Sequence, residues 1–397
     1  MTPTQVADTD RELEYVLRQI EAEPVETVRW RERNAFDNIA GPFHERLVLF
    51  GAGPLGRGIL AGLRNVGVEP LAFADNNQNL WGTEVSGLKV LSPNEAVKTY
   101  GDTTCFVVTI YQGASVRHQL ANLGCQRIAH FAALVWKYAD TFIPQSGLDL
   151  PHRMVAQIES IRKCYAALAD DVSKTELCEQ LRWRYWLENT PLSTPDDSRD
   201  TYFPMDLLSP IAGEIFVDCG GFDGDTIRSF NEHWKGAFRH IFALEPDPAN
   251  RAALSANIDA MGISSRVTVM PYAVGSSSGP VSFSITSSAA SHVTASEHVA
   301  TVESRRLDDL EWHVTPTYIK MDIESAEPDA IAGASQLLKR YRPVLAVCTY
   351  HRSEHLWQVP NLIRSIVPEY NIFLRRYAED CWEGVCYAIP YHRLRRA

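Results

Sequence analysis

Several things are scarce in this sequence, and each scarcity narrows its function. The eight cysteines are scattered, with no C-x-x-C pair and no clustered histidines. That excludes a zinc-ribbon framework and reads as reduced, mostly buried thiols of a cytoplasmic protein. No stretch approaches the roughly 20 apolar residues of a membrane helix. The start, Met1 to Pro24, is polar and has no apolar signal core. The formal charge is −11, without a long Lys/Arg block, so the basic footprint of a nucleic-acid-binding face is missing. Arg393, Arg395 and Arg396 at the end read as a solvated tail. No internal repeat of solenoid length is evident. The expectation is a soluble, cytoplasmic protein.

What is present is an ordinary globular composition, 45% hydrophobic and 22% charged over 397 residues, long enough for two domains and a connector. Leu13, Val16, Leu17 and Ile20 recur at helical spacing and predict one amphipathic helix from about Thr9 to Trp30. The apolar run Leu47 to Phe50 enters Gly51-x-Gly53-x-x-Gly56 and a helix. Pro70 to Asp75 then reads as a second strand, Thr104 to Thr109 as a later one, with helices between. Pro151 to Asn189 carries helical periodicity, with Ser173 and Glu176 placed as a capping box. Pro191 and Pro195 stop it. From Gly213 the alternation of strand and helix restarts and runs to Ile389, interrupted by a Ser-rich insert, Gly275 to Ser296, that reads as a hairpin or lid. The fold class is therefore α/β, with parallel sheets covered by helices. The expected divisions are a helical segment at 1–45, a Rossmann-like domain at 46–145, a helical connector at 146–200 and a second Rossmann-like domain at 201–397.

Parallel α/β sheets bind ligands where strands end and loops turn into helices. In the second domain those positions hold Asp218-Cys219-Gly220-Gly221-Phe222-Asp223-Gly224 and then Glu245-Pro246-Asp247. The glycines admit a ligand close to the backbone. Asp218 stands where a carboxylate can receive an amino group, and Glu245 suits the paired hydroxyls of a ribose. Carboxylates flanking the glycines would repel a pyrophosphate, but they suit a cofactor carrying an ammonium and a sulfonium. The balance favours S-adenosylmethionine over a dinucleotide.

Six ordered blocks then carry a family likeness: Tyr202-Phe203-Pro204, Ile215 to Thr226, Glu245-Pro246-Asp247, Ser304 to Leu310, Tyr318 to Glu324, and Tyr350-His351. Residues from about Thr201 to Pro390 resemble the FkbM family of methyltransferases. The resemblance implies a class I methyltransferase fold, S-adenosylmethionine as cofactor, and a hydroxyl acceptor on a sugar, glycoconjugate or natural product. On this reading the cofactor set is Tyr202, Asp218, Gly220, Gly221, Phe222, Asp223, Gly224, Thr226, Glu245, Pro246, Asp247, Tyr272, Ala273 and Asp322. Ser325 departs from the family, which usually has Gly there.

Methyl transfer to a hydroxyl needs in-line alignment and removal of a proton. Lys320, Asp322 and Glu324 alternate at a strand end and should share one face, with Lys320 holding a carboxylate ionised; alternatively Lys320 and Glu324 form an internal ion pair. His351, after the next strand, is the other candidate base. Asp322, Glu324, Glu327, His351 and His355 supply metal-ligating atoms but follow no recognised ligand spacing, so no metal is assigned. His292 and His298, in the insert, read as solvated.

The first glycine loop matches the dinucleotide fingerprint, with Asp75 at the end of the next strand. Yet only about half a Rossmann fold follows, and no Tyr-x-x-x-Lys pair. Phe73 to Asn77, Trp81-Gly82 and Gly87 to Pro93 resemble small nucleotide- or nucleotide-sugar-binding domains of sugar-modifying enzymes. Docking or dimerisation, binding of a nucleotide or nucleotide-sugar at Gly51–Gly56, and use of NAD all stay open for this part. The N-terminal helix and the Trp/Tyr-rich connector offer apolar surface for a homodimer. The rival functions are an NAD-dependent sugar oxidoreductase and a non-catalytic nucleotide-binding sensor.

Overall fold

The computed structural model describes residues 3–145, 147–188, 192–196, 201–284, 292–293 and 300–395. It divides into two compact units, one of residues 1–158, 178–194 and 378–382, the other of residues 159–177, 195–377 and 383–397. His298 and Arg396 lie outside the described residues, as does the side chain of His292.

The first unit opens with α1 (Pro3–Ala22) and α2 (Val25–Ala40). The periodicity that reads as one helix is broken at Pro24, which caps α2. Proline has no amide to continue α1 and its ring restrains the residue before it. There follow β1 (Leu47–Phe50), α3 (Pro54–Asn65), β2 (Ala72–Ala74), β3 (Glu84–Val85), β4 (Leu88–Leu91), α4 (Pro93–Tyr100), β5 (Cys105–Val108), α5 (Ala114–Asn122), β6 (Ile128–His130) and α6 (Phe131–Lys137), then the short α7 (Ala139–Phe142) and α8 (Pro151–Met154). The sheet runs β3-β4-β2-β1-β5-β6, and all but β3 are parallel. Five parallel strands exceed the half fold expected. Strands β3, β4 and β6 are absent from the sequence reading; the three residues of β6 merge into the apolar start of α6 and leave no pattern of their own.

Trp183, Ala378, Cys381 and Trp382 join the core of this unit with Phe131 and Leu134. Beside them the loop at Asp380 closes over the N-terminus of α5. Asp380 Oδ2 accepts from the Gly113 amide (3.3 Å), Glu379 from the Ala114 amide (3.0 Å), and Arg117 grips Asp380 with two bonds of 2.7 and 2.6 Å. Carboxylates and helix dipole are thereby matched.

Next come α9 (Ile158–Ala167), which belongs to the second unit from Glu159, and α10 (Asp171–Trp186), which belongs to the second unit up to Leu177 and to the first from Cys178. The cap of α10 is Asp170, not Ser173. Asp170 Oδ1 accepts the Ser173 amide (2.9 Å), while the Ser173 hydroxyl takes the Leu374 amide (2.9 Å) and Glu176 holds Arg376 (3.0 Å). The polar spacing of a capping box here serves long-range contacts instead.

The main sheet is built from β7 (Glu214–Cys219), α11 (Asp225–Trp234), β8 (Phe238–Leu244), α12 (Pro248–Ala260) and β9 (Val267–Met270). It continues, after a smaller sheet of β10 (Tyr272–Val274), β11 (Gly279–Ser284), β12 (His292–Val293) and β13 (Ala300–Arg305), with β14 (Tyr318–Met321), α13 (Glu327–Gly333), α14 (Ser335–Tyr341), β15 (Val344–Cys348), α15 (His355–Ile366), β16 (Asn371–Arg376) and β17 (Gly384–Ile389). The order is β16-β17-β15-β14-β7-β8-β9, with β17 alone reversed. Strands β7, β14 and β15 are buried along their whole length, as expected when helices cover both faces. The order reverses between β7 and β14, and a ligand cleft belongs at that switch point. Arg393 is not a solvated tail residue. It is buried and holds the buried Glu214 at the start of β7 by bonds of 3.0 and 2.7 Å.

His130 gives the first unit a testable pH response. Its Nδ1 accepts the Ala132 amide (3.1 Å) as the cap of α6, and its Nε2 lies 3.7 Å from Asp380. Burial pushes the imidazole down to about 4; the Asp380 charge opposes this and Arg117 adds to it. A value depressed on folding means that the associated stability is complete above the ordinary value near 6.5 and is lost as pH falls toward 4. Asn can keep the cap without titrating. His130→Asn should therefore lose less unfolding free energy than the parent between pH 7 and pH 4.5, by at most about 3 kcal/mol, in urea titrations followed by tryptophan fluorescence.

Candidate functional site

A cavity opens at the carboxyl ends of β7, β8 and β14. It encloses about 750 Å³ of space, counting the part open to solvent. Of the residues expected to bind a cofactor, Tyr202, Gly220, Phe222, Thr226, Glu245, Pro246, Tyr272, Ala273 and Asp322 line it, joined by Lys320 and Glu324. The others stand behind this wall. Gly221 and Gly224 back onto Leu254, Asp223 is tied through its carbonyl to Asn257 (2.7 Å), and Asp247 caps α12 through the amides of Ala249 (2.8 Å) and Asn250 (3.3 Å).

The glycine loop is shaped by contacts a larger residue would forbid. Gly220 has φ +84°, and a Cβ there would lie 2.0 Å from the carbonyl oxygen of Asp322. Glu245 fixes the loop from the neighbouring strand. Its Oε2 accepts the Phe222 amide and its Oε1 the Asp247 amide, each at 2.9 Å. Burial pushes this carboxyl up, while those amides pull it back.

Asp218 differs from its expected position facing an amino group. It is wholly buried, and Lys320 Nζ lies 3.0 Å from its Oδ1 and 2.8 Å from the carbonyl of Gly220. Burial pushes the Asp218 carboxyl up to about 6 against the pull of Lys320. Lys320 thus pairs with Asp218, its direct partner in the strand register, and not with Glu324. Alternation also ends early: β14 stops at Met321, and Glu324 and Ser325 take φ of +53° and +86°. Both Asp322 and Glu324 still reach the cavity.

Asp322 is the most elaborately held of these groups. Tyr202 Oη donates to its Oδ2 (2.8 Å), and His351 Nε2 lies 3.3 Å from its Oδ1. Burial works against its ionisation, but His351, Lys320 and Tyr202 outweigh it and hold the carboxyl below the usual range. His351 itself is buried and is not part of the cavity wall. Its Nδ1 meets Glu327 Oε1 at 2.8 Å, and Glu327 also accepts the Ile323 amide (2.9 Å). Burial disfavours the imidazolium, yet Glu327 and Asp322 raise His351 well above its ordinary value. His355 Nδ1 stands 3.4 Å from Glu327 Oε2.

Three participants escaped the sequence reading. Asn250 and Phe283 line the cavity; one lies a helical turn past Asp247, the other on the apolar face of the insert, and those spacings were the available signals. Glu383, pushed up to about 7 by burial and then by Asp322, comes from the turn between β16 and β17 and left none.

Residues 218–381 match the profile of the methyltransferase FkbM domain. This part of the chain belongs to the FkbM methyltransferase family. The fold of the chain matches the crystal structure of methyltransferase FkbM from Methylobacillus flagellatus KT over 96% of this chain and 99% of that one, with a TM-score of 0.71 and 23% identity. Partial likenesses include a precorrin-6y C5,15-methyltransferase from Geobacter metallireducens GS-15 (13% identity, 50% of this chain and 90% of that, TM-score 0.31). Another is an SAH-bound methyltransferase from Podospora anserina (10% identity, 60% and 88%, TM-score 0.27). These two are too slight to argue from. No curated protein matches the chain in sequence. No helix among the described residues is long and apolar enough to cross a membrane.

The first unit's glycine loop is built differently from that of the FkbM methyltransferase domain. Gly56 lets α3 approach β1, since a Cβ there would meet the Gly51 carbonyl at 1.8 Å. Asp75, expected to face a ribose, accepts the amides of Ala52 and Asn77, both at 2.8 Å.

Ser325 has a φ of +86°, where an L side chain is strained and glycine is not. Ser325→Gly should raise the unfolding free energy by about 1 kcal/mol, read from the midpoint shift in urea at constant slope.

Proposed function

We propose that the FkbM methyltransferase domain uses S-adenosylmethionine and methylates a hydroxyl oxygen on a sugar, glycoconjugate or natural product. The observation that carries this is the cavity wall itself. Gly220, Phe222 and Glu245 meet there with Tyr202, Lys320 and Asp322 at a switch point, with acidic rather than phosphate-binding chemistry beside the glycines.

The fit to the cofactor rests on shape and on donors. Gly220 packs its backbone against the Asp322 carbonyl, where a Cβ would collide, and so brings a bare peptide to the cavity wall. Each Glu245 oxygen already accepts one amide and keeps lone-pair capacity toward the cavity for ribose hydroxyls. Tyr272 and Ala273 form the wall beyond Glu245, suited to an adenine. When bound, S-adenosylmethionine supplies an activated methyl group.

The chain's own residues position the acceptor. Tyr202, whose phenol is held protonated by burial and by the Asp322 charge, keeps Asp322 aimed at the cavity. Asp322 is ionised across the physiological range, so it accepts the hydrogen bond of an acceptor hydroxyl and orients its lone pair. A hydroxyl becomes strongly acidic as its oxygen is alkylated, so even this weak base takes the proton. His351 is a positioning residue, set behind Asp322.

Calorimetry with S-adenosylhomocysteine and with NAD tests the reading. The expected result is S-adenosylhomocysteine binding that weakens at least tenfold in Glu245→Ala and stays within twofold in Asp75→Ala. Binding of NAD alone, or reversal of the two variants, would overturn it.

A further inference from the structure

The geometry points to a divalent metal site between His351 and the cavity floor, ligated by His351 Nε2, Asp322 Oδ1 and Glu324. The linear spacing of these residues follows no metal motif; the fold assembles them from the ends of β14 and β15. Ligand atoms of Asp322, Glu327 and His351 lie within 4.8 Å of one another.

The decisive group is His351. Its side chain is 2% exposed, and its Nε2 makes no hydrogen bond although it is aimed at two carboxylates, 3.3 Å from Asp322 Oδ1 and 3.7 Å from Glu324 Oε2. Ligand bonds of about 2.0–2.2 Å place neighbouring ligands roughly 3.0–3.5 Å apart, so a small shift of Glu324 completes the set. The surrounding bonds orient each ligand. Glu327 accepts the hydrogen bond from His351 Nδ1 and turns Nε2 toward Asp322, as a carboxylate behind a metal-bound histidine does, so an ion bound there would take the place of the Nε2 proton. Tyr202 occupies Asp322 Oδ2 and turns Oδ1 toward His351. Two carboxylates and one imidazole suit a first-row ion such as Mn²⁺ better than Mg²⁺, which seeks oxygen.

Asp322 and Glu324 line the cavity, so the open coordination positions face it. This part rests on the methyl-transfer reading: the acceptor class is a hydroxyl with an adjacent oxygen, such as a vicinal diol or a 2-hydroxy acid, able to chelate the ion. A coordinated hydroxyl loses its proton more readily.

The test is Mn²⁺ titration of the chelator-treated full-length protein, with free Mn²⁺ followed by its electron paramagnetic resonance signal and no methyl donor present. One equivalent should bind. His351→Ala and the near-isosteric Asp322→Asn should each weaken binding at least a hundredfold, and Glu327→Gln about ten- to a hundredfold. Glu245→Ala should leave it within threefold. Absence of Mn²⁺ binding to the parent, or binding unchanged in Asp322→Asn, would overturn the site. Cooperative urea unfolding of the same variants, followed by tryptophan fluorescence, checks that they are folded, and S-adenosylhomocysteine binding by the parent keeps failure of this site distinct from failure of the methyltransferase reading.

Discussion

The buried pair of Lys320 and Asp218 joins the two strands that flank the switch point, and the cavity is laid out on top of it. Placing an ammonium and a carboxylate in a sheet interior costs more than a surface pair. It is tolerated here because Lys320 is held at 3.0 Å from Asp218 and also donates to the Gly220 carbonyl. That second bond ties the charge pair to the glycine loop. Strand register, loop conformation and the field beneath the cavity are therefore one arrangement. Replacing either partner alone would strand the other charge, whereas surface loops around the cavity can vary freely.

From this base a second chain of contacts runs outward: Glu327 to His351, His351 to Asp322, Asp322 to Tyr202. Its first three members alternate negative, positive and negative, so each keeps its neighbour charged, and the neutral phenol of Tyr202 closes the chain. The backbone departs from regular geometry along it, at Tyr202, Glu324 and Ser325, which is where strain tends to collect in functional sites. The left-handed residues turn the chain sharply after β14, allowing Glu324 to come back beside Asp322 although strand alternation has ended.

Much of this was legible in the amino-acid order. Buried parallel strands show as continuous apolar runs, and Asp218 to Gly224 with Glu245 stand out because loops at strand ends need glycine and carboxylates together. The misreadings have a common cause: periodicity reports a residue's element, not its partner. Ser173 and Glu176 had the spacing of a local cap but bond to residues some two hundred positions away. Lys320 had a carboxylate two and four residues on, yet pairs across the sheet. Arg393 looked like tail charge because nothing local reveals Glu214. His351 stands out in the sequence, but only the fold shows that it is buried behind Asp322 and off the cavity wall. Glu383 reaches the site by tertiary placement alone.

The segment from Ala378 to Trp382 has a consequence for how the chain is made. It belongs to the first unit, where Trp382 packs with Phe131 and Trp183 and Asp380 closes α5, although most of the second unit precedes it in the sequence. The first unit begins to emerge early but stays unfinished, with an open apolar seam and an uncapped helix, until residues 195–377 have been synthesised. Vectorial folding from the N-terminus, the usual order for chains of several domains, is thereby withheld: the first unit does not reach its final form before Trp382 has emerged, and no single cut separates the two units into whole pieces.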